Sequence, residues 1–239
     1  MMDELHIRQR VDNGRETWDT PTMRWMQTYT GKVIDIANPK PEDIDIVDIA
    51  HALVRLCRYG GHVETWYSVA GHSLAMAKFA ETLSDQTMLE CLFHDATEAY
   101  LGDTISPVRK LLTDWTRRVV SETGDPAGNG VLSMLELLHE RWQSAIWQRF
   151  GLCVIGSTVR TLDKLALLAE VSLVFRTVSP AFERNGYTCD PNEPALHKMQ
   201  DFVRPYVQEC EPGGFGHNEL ELEFVNAFTR WEALRRKGR

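Results

Sequence analysis

The sequence lacks the features that mark membrane, secreted and nucleic-acid-binding proteins. No stretch approaches the roughly 20 apolar residues that a transmembrane helix needs, and the first residues, MMDELHIRQR, are too polar for a signal peptide. Basic residues are not in excess, since 26 Lys and Arg stand against 34 Asp and Glu and the net charge is −8. Duplex nucleic acids and anionic membranes attract basic surfaces. We therefore expect neither a membrane nor duplex nucleic acid among the partners of this protein.

The cysteines are few and form no recognisable disulfide or metal-ligand pattern. There are five, an odd number, and no two of them form a Cys-x-x-Cys pair. They are Cys57, Cys91, Cys153, Cys189 and Cys210. A disulfide framework needs paired cysteines, and a zinc knuckle needs closely spaced ones. We expect reduced thiols and a cytoplasmic location.

Several sequence motifs of common enzyme folds are also missing. The chain contains no G-x-G-x-x-G that opens a helix after a strand, no G-x-x-x-x-G-K-[ST], no H-E-x-x-H and no G-x-S-x-G. Their absence argues against the usual nucleotide-binding folds and against a serine hydrolase. An active site, if there is one, must be built from other residues.

A helical pattern extends over most of the chain. Its 239 residues, 43% of them hydrophobic and 25% charged, suit one globular domain. Apolar residues recur at helical spacing from residue 43 onwards, and long helices are predicted over 131–150 and 157–178. We predict an all-α bundle with its core at about 43–178 and a C-terminal helical extension.

Two segments depart from this helical pattern. The run 24–36 is rich in β-branched and aromatic residues around Thr30-Gly31-Lys32, which predicts a small N-terminal β-hairpin. Residues 1–22 before it are polar and are expected to form an arm or loop. The segment SETGDPAGNG at 121–130 is rich in turn-forming residues and predicts a loop.

One short segment concentrates ionisable side chains within an otherwise apolar helical stretch. HDATEAYLGD runs from His94 to Asp103 and includes Asp95 and Glu98. Because Glu98 follows His94 by four residues, the two side chains project from the same face of a helix. Asp103 follows Gly102, where this helix is expected to end, so its side chain can bend back over that face. Four such groups beside Leu, Ala and Tyr are costly unless they converge on a ligand.

Two further predicted helices each carry one group of the same kind. His72 interrupts the apolar segment SVAGHSLAMA, and Asp163 interrupts VRTLDKLALLAE. Buried imidazole and carboxylate groups need partners. Three helices that offer them to a common core could build a site with two His and two Asp ligands. Mixed nitrogen and oxygen ligands suit one divalent transition ion, such as Mn, Fe, Co, Ni or Zn.

This set resembles the HD-domain metal-dependent phosphohydrolase superfamily, whose signature is H…HD…D. Here the signature is His72, His94-Asp95 and Asp163, and the separation of 22 positions between the histidines fits it. HDATEAYLGDTISPVR is similar to the pattern HDxxExxxGDxxxPxK of the HD 5′-deoxyribonucleotidases and phage-type deoxynucleotide triphosphohydrolases. Upstream, RLCRYGGHVETWYSVAGHS resembles their Arg–aromatic pair before the first metal histidine. The resemblance spans about residues 55–170 and implies a single HD domain over 1–239.

The resemblance implies metal-binding and catalytic roles. Glu98 would act as general acid/base, by orienting a water molecule or by protonating the leaving alkoxide. Asp103 would contact the sugar, at its 3′-hydroxyl, or support Glu98. The implied ligands of one divalent ion are His72, His94, Asp95 and Asp163.

The resemblance also implies residues that bind the substrate. Arg58 would hold a phosphate group through its planar guanidinium, which can donate two parallel hydrogen bonds. Arg109 lies where the relatives carry Lys, so the charge is kept while the geometry of the donors changes. Tyr59 and His62 would line the pocket, and Tyr59 stands where the deoxyribonucleotidases have Trp.

The implied reaction is hydrolysis of a phosphate ester in a deoxynucleotide. The leading hypothesis is removal of phosphate from deoxynucleoside 5′-monophosphates, and the alternative is cleavage of a dNTP to nucleoside and triphosphate at the same site. Lys110, Arg117 and Arg118 could serve a longer phosphate chain, although they are equally compatible with a solvated helix face.

The same residues also bear on other functional classes. The intact ligand set and Glu98 argue against a non-catalytic nucleotide sensor. Cyclic-nucleotide phosphodiesterases commonly carry extra His ligands for a second metal, which this sequence does not offer. Relatives often form dimers or larger assemblies, so the resemblance is compatible with a homo-oligomer of undefined size.

Overall fold

The computed structural model shows that most of the chain is α-helical, which confirms the predicted all-α class. It describes residues 10–12, 15–17, 24–123, 127–152, 156–184, 188, 190–208 and 216–237. The helices in these ranges are α1 (Ile46–Arg55), α2 (Val69–Ala80), α3 (Asp85–Phe93), α4 (Glu98–Leu101), α5 (Ser106–Thr123), α6 (Ala127–Phe150), α7 (Ser157–Val174), α8 (Ala181–Arg184), α9 (Pro194–Gln208) and α10 (His217–Lys237).

Two small antiparallel hairpins precede the helices. β1 (Arg10–Asp12) pairs with β2 (Arg15–Thr17), and β3 (Trp25–Gln27) pairs with β4 (Val33–Asp35). The β3–β4 hairpin confirms the one predicted around Gly31, whose φ of +86° suits the turn. The β1–β2 pair lies within the segment 1–22 that the sequence predicted as an arm or loop, so that prediction is wrong for residues 10–12 and 15–17, while the rest of the segment lies outside the described residues. Strands of three residues are too short to show an alternating pattern.

The β3–β4 hairpin is attached to α1 through one buried carboxylate. The backbone N–H of Thr30 donates to Asp48 Oδ1 at 2.7 Å, and the Thr30 hydroxyl donates to Oδ2 at 2.9 Å. Asp48 is only 4% exposed. Buried carboxylates are stable when such donors satisfy them. Asp48 therefore connects the hairpin to the helical core.

We expect Asp48→Ala to lower the free energy of unfolding by about 2–4 kcal/mol, because it removes two hydrogen bonds to a charged group and leaves the Thr30 donors unsatisfied. Urea unfolding followed by circular dichroism measures the change. Glu42→Ala, at an exposed position in the segment before α1, is the control and should be nearly neutral. Equal stability of the two variants would show that Asp48 does not hold the hairpin.

Helix α2 is the central element of the bundle. It packs against α3 and α9 and also contacts α1, α7 and α10. Ser68 caps its N-terminus, since the Ser68 hydroxyl accepts from the backbone N–H of Gly71 at 3.0 Å. Every residue of α2 except Lys78 is buried. His72 is therefore held deep in the core, at 0% exposure.

The segment that carries His94 and Asp95 is not one continuous helix. α3 ends at Phe93, residues 94–97 form a turn, and α4 begins at Glu98. The turn is tightened by hydrogen bonds between residues three apart, such as Glu98 N–H to the Asp95 carbonyl at 2.9 Å. The prediction of an unbroken helix is wrong here. α4 ends at Gly102, whose φ is +79°, as the sequence predicted.

The predicted loop at 121–130 is largely helical. α5 continues to Thr123 and α6 begins at Ala127, while residues 124–126 lie outside the described ranges. The other boundary that differs is the end of α7, at Val174 rather than at residue 178, because Phe175 has an extended backbone. Helix packing between α5 and α6 outweighs the local preference of the Gly residues for turns.

Buried side chains from β4 through α10 form one hydrophobic cluster among the described residues. The interpretation of the chain as a single domain stays a prediction. None of the described helices combines the length and the apolar character that crossing a membrane would require.

Candidate functional site

Three of the predicted metal ligands converge where α2 packs against the end of α3. One donor atom from each of His72, His94 and Asp95 lies within 4.8 Å of the other two. The two imidazole Nε2 atoms are 3.1 Å apart. Asp95 Oδ2 lies 3.0 Å from Nε2 of His94 and 3.8 Å from Nε2 of His72. This group could hold a metal ion.

The second nitrogen of each imidazole determines how the two rings face each other. His94 Nδ1 lies 2.7 Å from the Cys91 carbonyl oxygen, which can only accept, so Nδ1 donates. His72 Nδ1 likewise donates to the Glu170 carboxylate. In the neutral rings, both Nε2 atoms then present lone pairs to each other. Two lone pairs at this distance repel, so the arrangement favours a cation, whether a metal ion or a proton, beside them.

The charges around the cluster also favour a cation beside the two imidazoles. Burial disfavours the charged form of His94, but Asp95 outweighs burial and raises the pKa of the ring to about 9. Burial also opposes ionisation of Asp95, yet His94 and His72 lower the pKa of that carboxyl far below its ordinary range. Asp95 is therefore ionised at neutral pH, and a divalent cation would compete with a proton for the imidazoles.

Asp163, the fourth predicted ligand, lies next to both imidazoles. Its Oδ1 atom is 3.3 Å from His72 Nε2 and 4.0 Å from His94 Nε2. Burial raises the pKa of Asp163, but hydrogen bonding and attraction to His72 lower it overall. The side chain is 48% exposed, compared with 23% for Asp95, so it closes the cluster on the more solvated side. Coordination of a metal by Asp163 stays a prediction.

A buried carboxylate on α7 supports the cluster from behind. Glu170 is 0% exposed. Its Oε1 atom accepts from His72 Nδ1 and, at 3.0 Å, from the Tyr67 hydroxyl. Its Oε2 atom accepts from Arg58 Nε at 3.2 Å and from the Tyr59 hydroxyl at 2.5 Å. Burial alone would raise the pKa of Glu170, but Arg58 and His72 lower it to about 2. Four donors on one ionised carboxylate fix the orientation of the His72 ring.

Glu98 differs electrostatically from the carboxylates around it. Its Oε2 atom is buried and has no hydrogen-bond partner among the described residues. Burial, followed by repulsion from Asp95 and Asp103, raises the pKa of Glu98 to about 9. Burial also raises the pKa of Asp103, although Arg58 partly offsets it. Glu98 is therefore protonated at neutral pH, the state that a general acid needs.

A cavity of about 360 Å³ lies over these residues. Its acidic lining consists of Asp95, Glu98, Asp103 and Asp163. Its basic lining consists of Arg58, Arg109, Lys110 and Lys164. Four basic side chains thus face four carboxyl groups, and the pKa values of two of these, Glu98 and Asp103, are raised by burial, so that a divalent ion at the cluster would make the lining more positive. Such a lining suits an anionic ligand.

Arg58 and Tyr59 lie between Glu170 and the cavity. Arg58 Nη2 is 3.2 Å from Glu170 Oε2, and Nη1 is 3.6 Å from Asp95 Oδ2. Tyr59 has a φ of +59° and is the one non-glycine residue with positive φ in the described part of the chain. Both side chains are thus engaged with Glu170 from the cavity wall, and their contact with a substrate stays a prediction.

The other predicted substrate residues lie in different places. Arg109 lines the cavity from α5, and Lys110 lies beside it. His62 is exposed and is not among the described residues that line the cavity, so the structure does not bring it to the site. Arg117 and Arg118 are exposed farther along α5, as expected for a solvated helix face.

Comparison with known sequences relates the chain to two bacterial proteins. No family model matches it. It is 30% identical over 149 residues to the uncharacterized protein YfdR of Escherichia coli (strain K12), and the match covers 62% of this chain and 71% of YfdR. The chain belongs to the YfdR family. It is also 34% identical over 149 residues to an uncharacterized protein of Rhodobacter capsulatus. That match covers 59% of this chain and 66% of the Rhodobacter protein.

Several site residues of this YfdR-family protein did not emerge from its sequence. Glu170 follows Asp163 by seven residues, which is two helical turns, so their shared helix face was the available signal. Lys164 carries no such signal, because a Lys beside an Asp on a helix is ordinary. Phe175 and Phe182 also line the cavity. They follow the end of α7, where no periodicity indicates which way a side chain faces.

Proposed function

We propose that this protein is a metal-dependent phosphohydrolase of deoxynucleotides, and that it removes phosphate from deoxynucleoside 5′-monophosphates. The observation that carries the proposal is the convergence of His72, His94 and Asp95 beside the protonated Glu98, in a cavity with four basic side chains. Metal ligands, an acid and cations for an anionic group are the components that this reaction needs. The resemblance to HD-domain phosphohydrolases supports the same reaction.

The donor set fits one divalent transition ion. The two imidazole Nε2 atoms face each other, and the carboxylates of Asp95 and Asp163 beside them would add oxygen ligands. The residues that would hold the ion are His72, His94, Asp95 and Asp163. When bound, such an ion acidifies a water molecule and neutralises phosphoryl oxygens.

The side chains around the cluster would then complete the reaction. Glu98 holds a proton at neutral pH and would deliver it to the leaving alkoxide, or would orient the attacking water. Asp103 lines the same cavity and would accept a hydrogen bond from a sugar hydroxyl. Arg58, held by Glu170, would direct its remaining N–H groups to the phosphate.

Cleavage of dNTPs at the same site is the alternative proposal. Lys110 and Lys164 extend the basic lining beyond Arg58 and Arg109. Additional cations would serve the β and γ phosphates of a triphosphate, which a monophosphate lacks. A cytoplasmic location belongs to the proposal too, and the free thiols of Cys57 and Cys91 are compatible with it.

Metal analysis followed by a nucleotide panel tests these alternatives. We expect about one divalent ion per chain by mass spectrometry of the purified protein, and phosphate release from deoxynucleoside monophosphates with Mn, Co or Zn. Triphosphate release from dNTPs would favour the alternative reaction. Nucleotide binding without turnover under every ion would indicate a sensor rather than an enzyme. Failure to bind any divalent ion would contradict the proposal.

A further inference from the structure

Three aromatic side chains form one continuous wall of the cavity. Tyr59 and Phe175 meet edge to face, with ring centroids 5.0 Å apart and an interplanar angle of 73°. Phe175 and Phe182 meet in the same way, at 5.3 Å and 66°. All three line the cavity that holds Asp95 and Glu98. We refer to Tyr59, Phe175 and Phe182 as the aromatic wall.

Backbone hydrogen bonds near Phe175 and Phe182, and the backbone conformation of Tyr59, position the aromatic wall. At the end of α7, the backbone N–H of Glu64 donates to the Val174 carbonyl at 2.9 Å, and Phe175 leaves the helix with an extended backbone. The following turn returns through Ser179, whose carbonyl accepts from Phe182 N–H at 3.1 Å. Tyr59 adopts a positive φ, which non-glycine residues rarely do unless their surroundings require it.

The aromatic wall is part of a surface and not of the core. Phe175 and Phe182 are partly exposed, unlike the fully buried Phe93 and Phe224. The cavity therefore has an ionic region around the metal ligands and an aromatic region beside it. A phosphate group would occupy only the ionic region, so the aromatic wall indicates a second, flat and apolar part of the ligand.

The aromatic wall offers no free group that could read the edge of a base. Phenylalanine rings carry no hydrogen-bonding atoms, and the Tyr59 hydroxyl already donates to Glu170 at 2.5 Å. Contacts between aromatic side chains and base faces tolerate all bases, because every base has a π-face. Discrimination among bases would require additional polar contacts.

We propose that the aromatic wall binds the nucleobase, and thereby selects nucleotides over base-free sugar phosphates without choosing between bases. This inference rests on the proposed function of the same site. Phe182 is the residue whose contribution can be tested most cleanly, because its ring has no hydrogen-bonding group and cannot take part in the hydrogen-bonded cluster around Glu170 and the histidines.

The test compares the four deoxynucleoside 5′-monophosphates with 2-deoxyribose 5-phosphate, using the full chain loaded with Mn. The wild-type protein should have a lower KM for each of the four nucleotides than for 2-deoxyribose 5-phosphate. Phe182→Ala should raise KM for all four by about 5- to 100-fold, the usual effect of losing a stacking contact, with kcat and the base-free substrate little changed. Val178→Ala is the matched control, since Val178 lies between Phe175 and Phe182 but is 57% exposed and outside the cavity lining.

A second variant and a binding measurement distinguish failure of this inference from failure of the proposed function. Phe182→Leu keeps apolar bulk and should fold even where Phe182→Ala does not, yet it should lose part of the preference for nucleotides. Calorimetric affinities for the same five compounds test the aromatic wall without turnover. Equal effects of Phe182→Ala on nucleotides and on the base-free phosphate would overturn the inference, as would a KM that follows base identity. Absence of hydrolysis combined with a nucleotide preference in binding would reject the proposed function alone.

Discussion

Asp95→Ala is expected to remove both the bound metal and the activity, whereas Glu98→Gln is expected to keep the metal and lose about 10²–10⁴ in kcat. Asp95 has its carboxylate beside both imidazoles and is ionised, so its removal takes away a proposed ligand and one negative charge next to the two rings. Glu98 belongs to the cavity lining, and its Oε2 atom has no hydrogen-bond partner among the described residues. An amide in its place keeps the shape of the side chain but cannot release a proton.

Metal content per chain and steady-state rates, measured on the same preparations, check this pair of variants. Asp114→Ala is the control for both, because Asp114 is an exposed carboxylate on α5 outside the cavity lining. It should change neither quantity. A full complement of metal in Asp95→Ala would reject the ligand set, and unchanged turnover in Glu98→Gln would remove Glu98 from the mechanism.

Glu170→Gln is expected to weaken metal affinity by about 10–100-fold and to lower the stability of the metal-free protein by about 3–5 kcal/mol. The first effect follows because the carboxylate orients the His72 ring through Nδ1. The second follows because Arg58 is 12% exposed and would lose its closest charged partner. Glu170 is fully buried and is not among the described residues that line the cavity, so the variant acts through its partners.

Titration with a divalent ion and urea unfolding of the metal-free protein measure these two effects separately. Tyr67→Phe is the matched variant, since it removes one hydrogen bond to the same carboxylate and leaves the charge in place. It should cost about 1 kcal/mol and little metal affinity. If Glu170→Gln loses stability but binds metal as wild type does, Glu170 stabilises the fold without positioning His72. If it loses neither, the description of the buried cluster is wrong.

Local patterns were sufficient for some elements and insufficient for others. The β3–β4 hairpin and the end of α4 at Gly102 both follow from residues within a few positions. The turn at 94–97 and the helical continuation through Thr123 did not follow, because tertiary packing outweighed weak local propensities there. His62 shows the same limit, since proximity along the chain to Arg58 did not place it in the cavity.

The sequence by itself determined the helical class and the types of ligand atoms, because helical periodicity and residue chemistry are properties of short segments. It also contained the spacing that joins Asp163 to Glu170 on one face of α7. Only the tertiary structure decided that Glu170 supports His72, 98 positions away, and that Phe175 and Phe182 line the same cavity as Asp95 and Asp163. Contacts between residues so far apart depend on how helices pack and on how the connecting segments return, and no local pattern encodes either.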